Sequence, residues 1–161
     1  KEEEKIMNET DKAIEDARKF LEDILSFFGL NTVVSATSEE DVIELSVPST
    51  HLNGFLIGQR GETLRALQAL VSTMLKNADA ALTRVNIDVA DYKQHRAEHL
   101  LEQLGDWVKK VREDGQPLHL RPMNAADRRT IHRGLEDYSD VTSHSEGEAR
   151  ERHIVLELNA S

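Results

Sequence analysis

The stretch Gly58-Gln59-Arg60-Gly61 places a cation inside a turn that is bounded by two glycines. Glycine lets the backbone turn sharply and lets another molecule approach within hydrogen-bonding distance. Free amide groups at the start of a following helix can hold a phosphate, and Arg60 and Arg65 would neutralise its charge. Single-stranded nucleic acid fits better than duplex, because its unstacked bases can reach an adjacent apolar groove. The alternative is an ordinary corner between two helices.

A second candidate phosphate site lies in the stretch RPMNAADRRTIHRGL, residues 121–135. Arg128 and His132 are four residues apart on a predicted helix, so they share one face. They could hold a phosphate between a permanent cation and a titratable imidazole. Arg129 and Arg133 repeat the spacing. The alternative is a solvated helix face with a capped core histidine.

A third pattern, His95-Arg-Ala-Glu98-His99, fits the inverted zinc-peptidase motif, in which two histidines bind Zn²⁺ beside a general-base glutamate. Such a site needs a third ligand and a cleft in a large scaffold, so we interpret these as exposed histidines on a charged helix. No Ser-His-Asp order, Walker loop or cofactor fingerprint occurs. We therefore predict no catalytic residues, no enzyme activity, no metal site and no cofactor.

Charge is distributed unevenly along the 161 residues, whose net charge is −10. Residues 1–50 carry five basic and 13 acidic residues, whereas residues 54–76 carry three against one and residues 118–135 four against one. An acidic chain argues against coating of duplex DNA, but it permits a narrow groove lined by a few cations. With no cysteine and no apolar run long enough for a membrane span, we expect a cytoplasmic protein without membrane insertion.

Hydrophobic periodicity predicts the elements that position the first motif. A helix over 8–28 precedes a hairpin with strands at 32–37 and 42–47 and a turn at 38–41. A short helix leads into the glycine turn, a second helix spans 62–77, and a strand spans 84–90. The predicted order is α-β-β-α-α-β.

The remaining sequence predicts a long helix over 91–114, followed by a smaller unit. Its elements are a strand at 118–120, a helix at 124–137 and strands near 141–145 and 153–158. The resulting domains are 1–91, a connecting helix at 92–115, and 116–161. Because a unit of about 45 residues is near the lower limit for independent folding, we expect it to lean on that helix.

The glycine turn in this element order resembles the type II KH domain, over roughly residues 10–90, whose loop clamps about four nucleotides. Arg-Pro-Met-Asn, then Arg128 and His132, then Ser-Glu-Gly-Glu at 145–148 resembles the R-three-H domain. Together they resemble the bacterial Jag family, also called the SpoIIIJ-associated protein. The expected fold is α+β: a three-stranded sheet with helices on one face, joined by a long helix to a small α/β domain.

Two departures from the Jag pattern stand out. The family usually begins with a further small domain and a linker, which this sequence does not contain. It also commonly carries a Pro-aromatic pair before an arginine late in the chain, where Arg150 and Glu151 precede Arg152 here. The second departure leaves the shape of that loop open.

The resemblance implies a regulator that binds single-stranded RNA, with single-stranded DNA left open. It assigns the residues from Gly58 to Gly61 to the KH clamp and Arg128 and His132 to the signature pair. It further implies a setting of cell elongation, division and envelope synthesis, with a small single-KH protein as a partner; a homodimer is left open. The alternative is a protein-interaction adaptor at the membrane insertase or division machinery, with little RNA binding.

Overall fold

The computed structural model describes the backbone of residues 2–159 and the side chains of residues 9–159. The chain divides into two compact units, Lys1–Tyr92 and Lys93–Ser161. Each unit contains helices and one three-stranded sheet, which confirms the α+β fold. Over the described residues, no helix combines the length and the apolar character needed to cross a membrane.

The first unit has the predicted α-β-β-α-α-β order. Its elements are α1 (Glu2–Phe27), β1 (Ser35–Glu39), β2 (Val42–Val47), α2 (Asn53–Ile57), α3 (Glu62–Asn77) and β3 (Arg84–Val89). The sheet order is β1-β2-β3, with β1 antiparallel and β3 parallel to the central strand. This is the order expected of a type II KH domain.

One face of the first sheet forms the core, because β2 and β3 bury every second side chain. Helices α1 and α3 each pack an apolar stripe against that face. The buried residues from the strands are Ile43, Leu45, Val47, Val85, Ile87 and Val89, and those from the two helices include Leu21, Leu25, Leu67, Val71 and Leu75. Helices therefore cover one face of the sheet, as predicted.

The first hairpin differs from the prediction in the bounds of its first strand and in the length of its turn. Strand β1 runs over Ser35–Glu39 instead of 32–37, and Glu39 pairs with Val42. Only Glu40 and Asp41 remain in the turn, with φ angles of 47° and 63°. A two-residue turn with both φ angles positive matches the twist of antiparallel strands, so the hairpin closes more tightly than the predicted four-residue turn.

The second unit contains α4 (Tyr92–Asp114) from Lys93 onward, β4 (Leu118–His119), α5 (Ala125–Gly134), β5 (Val141–Glu146) and β6 (His153–Leu158). Strand β6 lies between β4 and β5 and is antiparallel to both. The helix predicted as a connector contributes Leu100, Leu104, Val108 and Val111 to the core of this unit. The small C-terminal elements thus fold against α4.

Helix α5 ends at Gly134 and continues as a 3₁₀ turn over Leu135–Asp137, whereas a helix through residue 137 was predicted. A Cβ atom at Gly134 would lie 2.6 Å from Cδ2 of Leu101 and 2.7 Å from Cδ2 of Leu104. The glycine therefore lets the end of α5 approach α4 closely.

Candidate nucleic-acid interface

The corner between α2 and α3 is built on two glycines with positive φ, 70° at Gly58 and 74° at Gly61. The amide of Gly58 donates to the carbonyl of Gly54 at 2.9 Å and ends α2. A Cβ atom at Gly58 would lie only 2.2 Å from Oγ1 of Thr63, so no other residue fits without rearrangement. The backbone itself therefore requires glycine at position 58, whereas Gly61 adopts a left-handed conformation that favours glycine.

The tip of this corner presents Gln59 and Arg60, both exposed to solvent. Arg60 also has a positive φ of 54°, which is uncommon for a residue with a long side chain. Nη1 of Arg65 donates a hydrogen bond to the carbonyl of Arg60 at 2.9 Å, so Arg65 holds the tip from the first turn of α3. Two cations are thus gathered at the glycine corner.

Two backbone amides of the corner are already hydrogen-bonded, contrary to the prediction. The amide of Gly61 donates to the carbonyl of Gly58 at 3.3 Å, and that of Glu62 donates to the carbonyl of Gln59. The expectation of free amides at the start of α3 is wrong for these positions, because the chain closes a 3₁₀ turn over Gln59–Gly61. Arg60 and Arg65 are the groups that remain suited to an incoming phosphate.

Helix α5 carries the second set of predicted residues. The side chain of Asn124 caps its first turn by accepting from the amide of Asp127 at 2.9 Å. Ile131 is buried in the core and fixes which face of the helix points inward. Arg128 and His132 lie one turn apart and are half-buried, whereas Arg129 and Arg133 are exposed.

The side chains of Arg128 and His132 are each held by the protein. Nη1 of Arg128 donates to the carbonyl of Met123 at 2.8 Å, and Nδ1 of His132 lies 2.5 Å from Oγ of Ser143 on β5. Neither is a freely solvated side chain, because each is half-buried and hydrogen-bonded. The structure therefore gives the Arg128–His132 pair fixed orientations. The sequence did not identify Met123 or Ser143 as their hydrogen-bond partners.

An ion pair fixes α5 against α4. Both Nε and Nη2 of Arg96 bond to Oδ2 of Asp127, at 3.1 and 3.0 Å. Asp127 is the one charged residue among the described residues that is buried. The pair thus ties the first turn of α5, next to Arg128 and Arg129, to α4.

A cleft of about 550 Å³ in the second unit was not predicted. It lies between α4 and residues 118–123, and three cations line it: Arg96, Lys110 and Arg121. Trp107, the one tryptophan of the chain, lines the same cleft and is half-buried. Cations beside an aromatic ring suit a nucleotide, whose base stacks while its phosphate is neutralised. Arg121 begins the second basic stretch and is the feature of the sequence that could have indicated this cleft.

The zinc-peptidase pattern lies on α4, with His95 and His99 exposed. The Glu98 carboxylate accepts a hydrogen bond from Gln94 at 2.9 Å, and His99 lies 3.8 Å from the carboxylate of Glu102. These side chains are engaged with neighbours on their own helix.

Residues 98–158 match the R-three-H domain family. Similar proteins include one named RNA-binding protein KhpB from Clostridium symbiosum, 34% identical over 149 residues, which make up 92% of this chain and 65% of that protein. A protein of the same name from Streptococcus pneumoniae serotype 2 (strain D39) is 35% identical over 127 residues, 77% of this chain and 39% of its own length. A third, from Bacillus subtilis (strain 168), is 27% identical over 148 residues, covering 89% and 69% of the two chains.

The fold and these matches define a protein with an R-three-H domain, whose first unit has the element order of a type II KH domain. This agrees with the resemblance to the Jag family, since the similar proteins carry the name RNA-binding protein KhpB. The chain spans less than two thirds of the length of the first two of these relatives.

Proposed function

We propose that this chain is a non-enzymatic regulatory protein that binds single-stranded RNA, with single-stranded DNA as an alternative ligand. The observation that carries the proposal is the glycine corner, where Arg60 stands exposed at the tip and Arg65 holds the backbone in place. The relatives named RNA-binding protein KhpB support the same class of ligand.

In the first unit, the RNA backbone passes over the corner from Gly58 to Gly61, close enough for Arg60 to contact a phosphate. Glycine at both ends keeps Cβ atoms out of the path of the strand. Gln59 lies exposed beside Arg60 and can hydrogen-bond to a ribose or a phosphate. The charge of Arg65 adds to the attraction, since its hydrogen bond to a carbonyl leaves the guanidinium cationic.

In the second unit, α5 presents Arg128, Arg129 and His132 to a second stretch of backbone. Among the described residues, no hydrogen-bond partner meets Nε2 of His132, which leaves this nitrogen available for a phosphate oxygen. Arg129 is exposed and contributes charge without a structural role. The cleft beside Trp107 then accepts a base, with Arg121 at its margin.

By family resemblance, we place this activity in cell elongation, division and envelope synthesis. The second candidate function is the protein adaptor, with a small single-KH protein or a second copy of the chain as its partner. One observation favours it: large apolar side chains of the first unit are exposed at Phe27, Phe28, Val33, Phe55 and Leu70. Exposed apolar surface of this kind is often an interaction site.

The test is crosslinking in cells followed by sequencing of the bound RNA. Arg60→Gly and Arg129→Ala remove one cation from each proposed site, and Lys109→Ala removes an exposed cation from α4 as a matched control. We expect crosslinked RNA from the unsubstituted chain and the control, with a reduced yield from the other two. Absence of RNA from the unsubstituted chain would reject RNA binding and favour the adaptor.

A further inference from the structure

Two histidines and a glutamate converge on the second sheet, although His119 is far from the other two residues in the sequence. His119 ends β4, Glu146 ends β5 and His153 begins β6. Each offers one ligand atom, and these atoms all lie within 4.8 Å of one another. The antiparallel register brings them together, because Glu146 pairs directly with His153.

The spacing of the donor atoms approaches that of a tetrahedral zinc site. Nδ1 of His119 lies 3.1 Å from Nε2 of His153 and 3.9 Å from Oε2 of Glu146. Bonds of about 2.0–2.1 Å to a tetrahedral Zn²⁺ would separate ligand atoms by roughly 3.3 Å. The wider separations, 3.9 Å and at most 4.8 Å, would have to shorten by about 0.6 to 1.5 Å, which partly exposed side chains permit.

Hydrogen bonds orient two of these donors. Nδ1 of His153 lies 2.9 Å from the carbonyl oxygen of Glu151. A carbonyl only accepts, so Nδ1 carries the hydrogen and Nε2 directs a lone pair towards His119. The other carboxylate oxygen of Glu146 lies 2.9 Å from Nε2 of His144. Metal-binding histidines and carboxylates are typically held by such outer partners.

We propose that His119, Glu146 and His153 bind one Zn²⁺ ion. Two imidazoles and one carboxylate favour zinc over Mg²⁺ or Ca²⁺, which prefer all-oxygen ligand sets. Solvent completes the coordination, because His119 and Glu146 are largely exposed. The ion links the two-residue strand β4 to both other strands of the sheet and thereby stabilises the second unit. The ordinary alternative is a hydrogen bond between two neutral histidines.

Calorimetric titration of the tag-free, metal-stripped chain with ZnCl₂ tests the proposal. We expect one equivalent to bind, MgCl₂ to give no heat, and zinc to raise the unfolding temperature. His119→Ala and His153→Ala should each weaken binding at least about 10-fold, since loss of an outer partner alone typically costs 10- to 100-fold. His95→Ala, which removes an exposed histidine of α4, is the matched control and should bind zinc normally.

Absence of stoichiometric zinc binding would overturn the proposal, as would loss of binding in His95→Ala with retention in His153→Ala. If a variant that lacks one of the zinc ligands fails to fold, ¹⁵N spectra of the histidine rings in the unsubstituted chain test the assignment instead. Zinc should shift Nδ1 of His119 and Nε2 of His153. Shifts confined to other histidines would contradict the assignment.

Discussion

One substitution at Arg60 can remove the side-chain charge and still keep the backbone conformation. Its φ of 54° is tolerated without strain by glycine, so Arg60→Gly should remove the cation while leaving the glycine corner intact. We expect weaker binding to a single-stranded oligoribonucleotide and a log–log salt slope smaller by about 0.7, the value for one phosphate contact. Fluorescence anisotropy at several salt concentrations measures both.

The matched control for Arg60→Gly is Lys19→Ala, which removes an exposed cation from α1, outside both basic stretches. Its affinity and salt slope should equal those of the parent chain. If Arg60→Gly keeps the parental slope as well, the glycine corner does not contact phosphate.

Substitution of Gly58 tests whether the backbone of the same corner requires glycine. An alanine Cβ there would meet Oγ1 of Thr63 at 2.2 Å and would also be held at φ of 70°. We expect Gly58→Ala to lower the free energy of unfolding by about 1–3 kcal/mol, the cost of one strained backbone conformation, or by more because of the contact with Thr63. Gly54→Ala is the control, because its Cβ would meet no atom within 4 Å. Urea unfolding of both variants measures the difference. Equal stability of the two variants would show that the corner adapts to the alanine side chain.

Some residue-scale features could be predicted from the sequence and others could not. The spacing of Gly58 and Gly61 predicted a sharp turn with a cation inside it, since few other residues permit that backbone. The fate of the amide of Gly61 depends on whether the turn closes as a 3₁₀ helix, which the sequence does not specify. His119 and His153 have no characteristic spacing, because their proximity arises from the pairing of separate strands.

At the scale of elements, the contact between α4 and α5 depends on the ion pair of Arg96 with Asp127. The Asp127 side chain is 8% exposed and that of Arg96 34%, so removing Arg96 leaves a buried carboxylate without its partner. We expect Arg96→Met to lower the free energy of unfolding by about 1–3 kcal/mol. Chemical denaturation provides the measurement.

Lys109→Met on the same helix is the control for Arg96→Met. The Lys109–Glu113 pair is 3.8 Å apart and well exposed, and its loss should cost less than about 0.5 kcal/mol. Equal stability of the two variants would show that the Arg96–Asp127 pair does not hold α5 on α4.

The pair of Arg112 and Asp140 should make stability depend on pH. A hydrogen bond from the Arg112 guanidinium lowers the pKa of Asp140 in the folded chain. The folded state therefore favours the charged carboxylate, and this contribution is present above the unfolded pKa of about 3.9. It is lost as the pH falls through the lower folded value.

Asp140→Asn isolates this contribution, because it keeps the size of the side chain and removes the charge. The difference in unfolding temperature between parent and variant should be constant above about pH 5 and should shrink below about pH 4. Thermal melts from about pH 2.5 to 7 measure it. A difference that stays constant over the whole range would rule out a role for the carboxylate charge.

Periodicity predicted the helices and the core strands, whereas turn chemistry decided where elements end. The alternation of Ile43, Leu45 and Val47 predicted a half-buried strand, and the structure has it at Val42–Val47. The shift of β1 to Ser35–Glu39 follows from positive φ at Glu40, which that residue type gave no reason to expect. Helix α5 ends at Gly134, and the close approach of this residue to α4 is a tertiary contact that local sequence does not show.

At the scale of the whole molecule, the proposed function requires an acidic protein to bind an acidic polymer. The net charge of −10 repels RNA at long range, so attraction must come from the two basic stretches. The distribution of charge along the sequence predicts the two basic stretches, and the exposed cations Arg60 and Arg129 lie in separate units. Two weak sites on one chain strengthen binding only if one strand engages both.

The salt dependence of single-stranded RNA binding by the unsubstituted chain tests this central claim most directly. With three to five phosphates neutralised, the slope of log affinity against log salt should be about −2 to −3.5. A slope near zero, or no measurable affinity at low salt, would contradict the account.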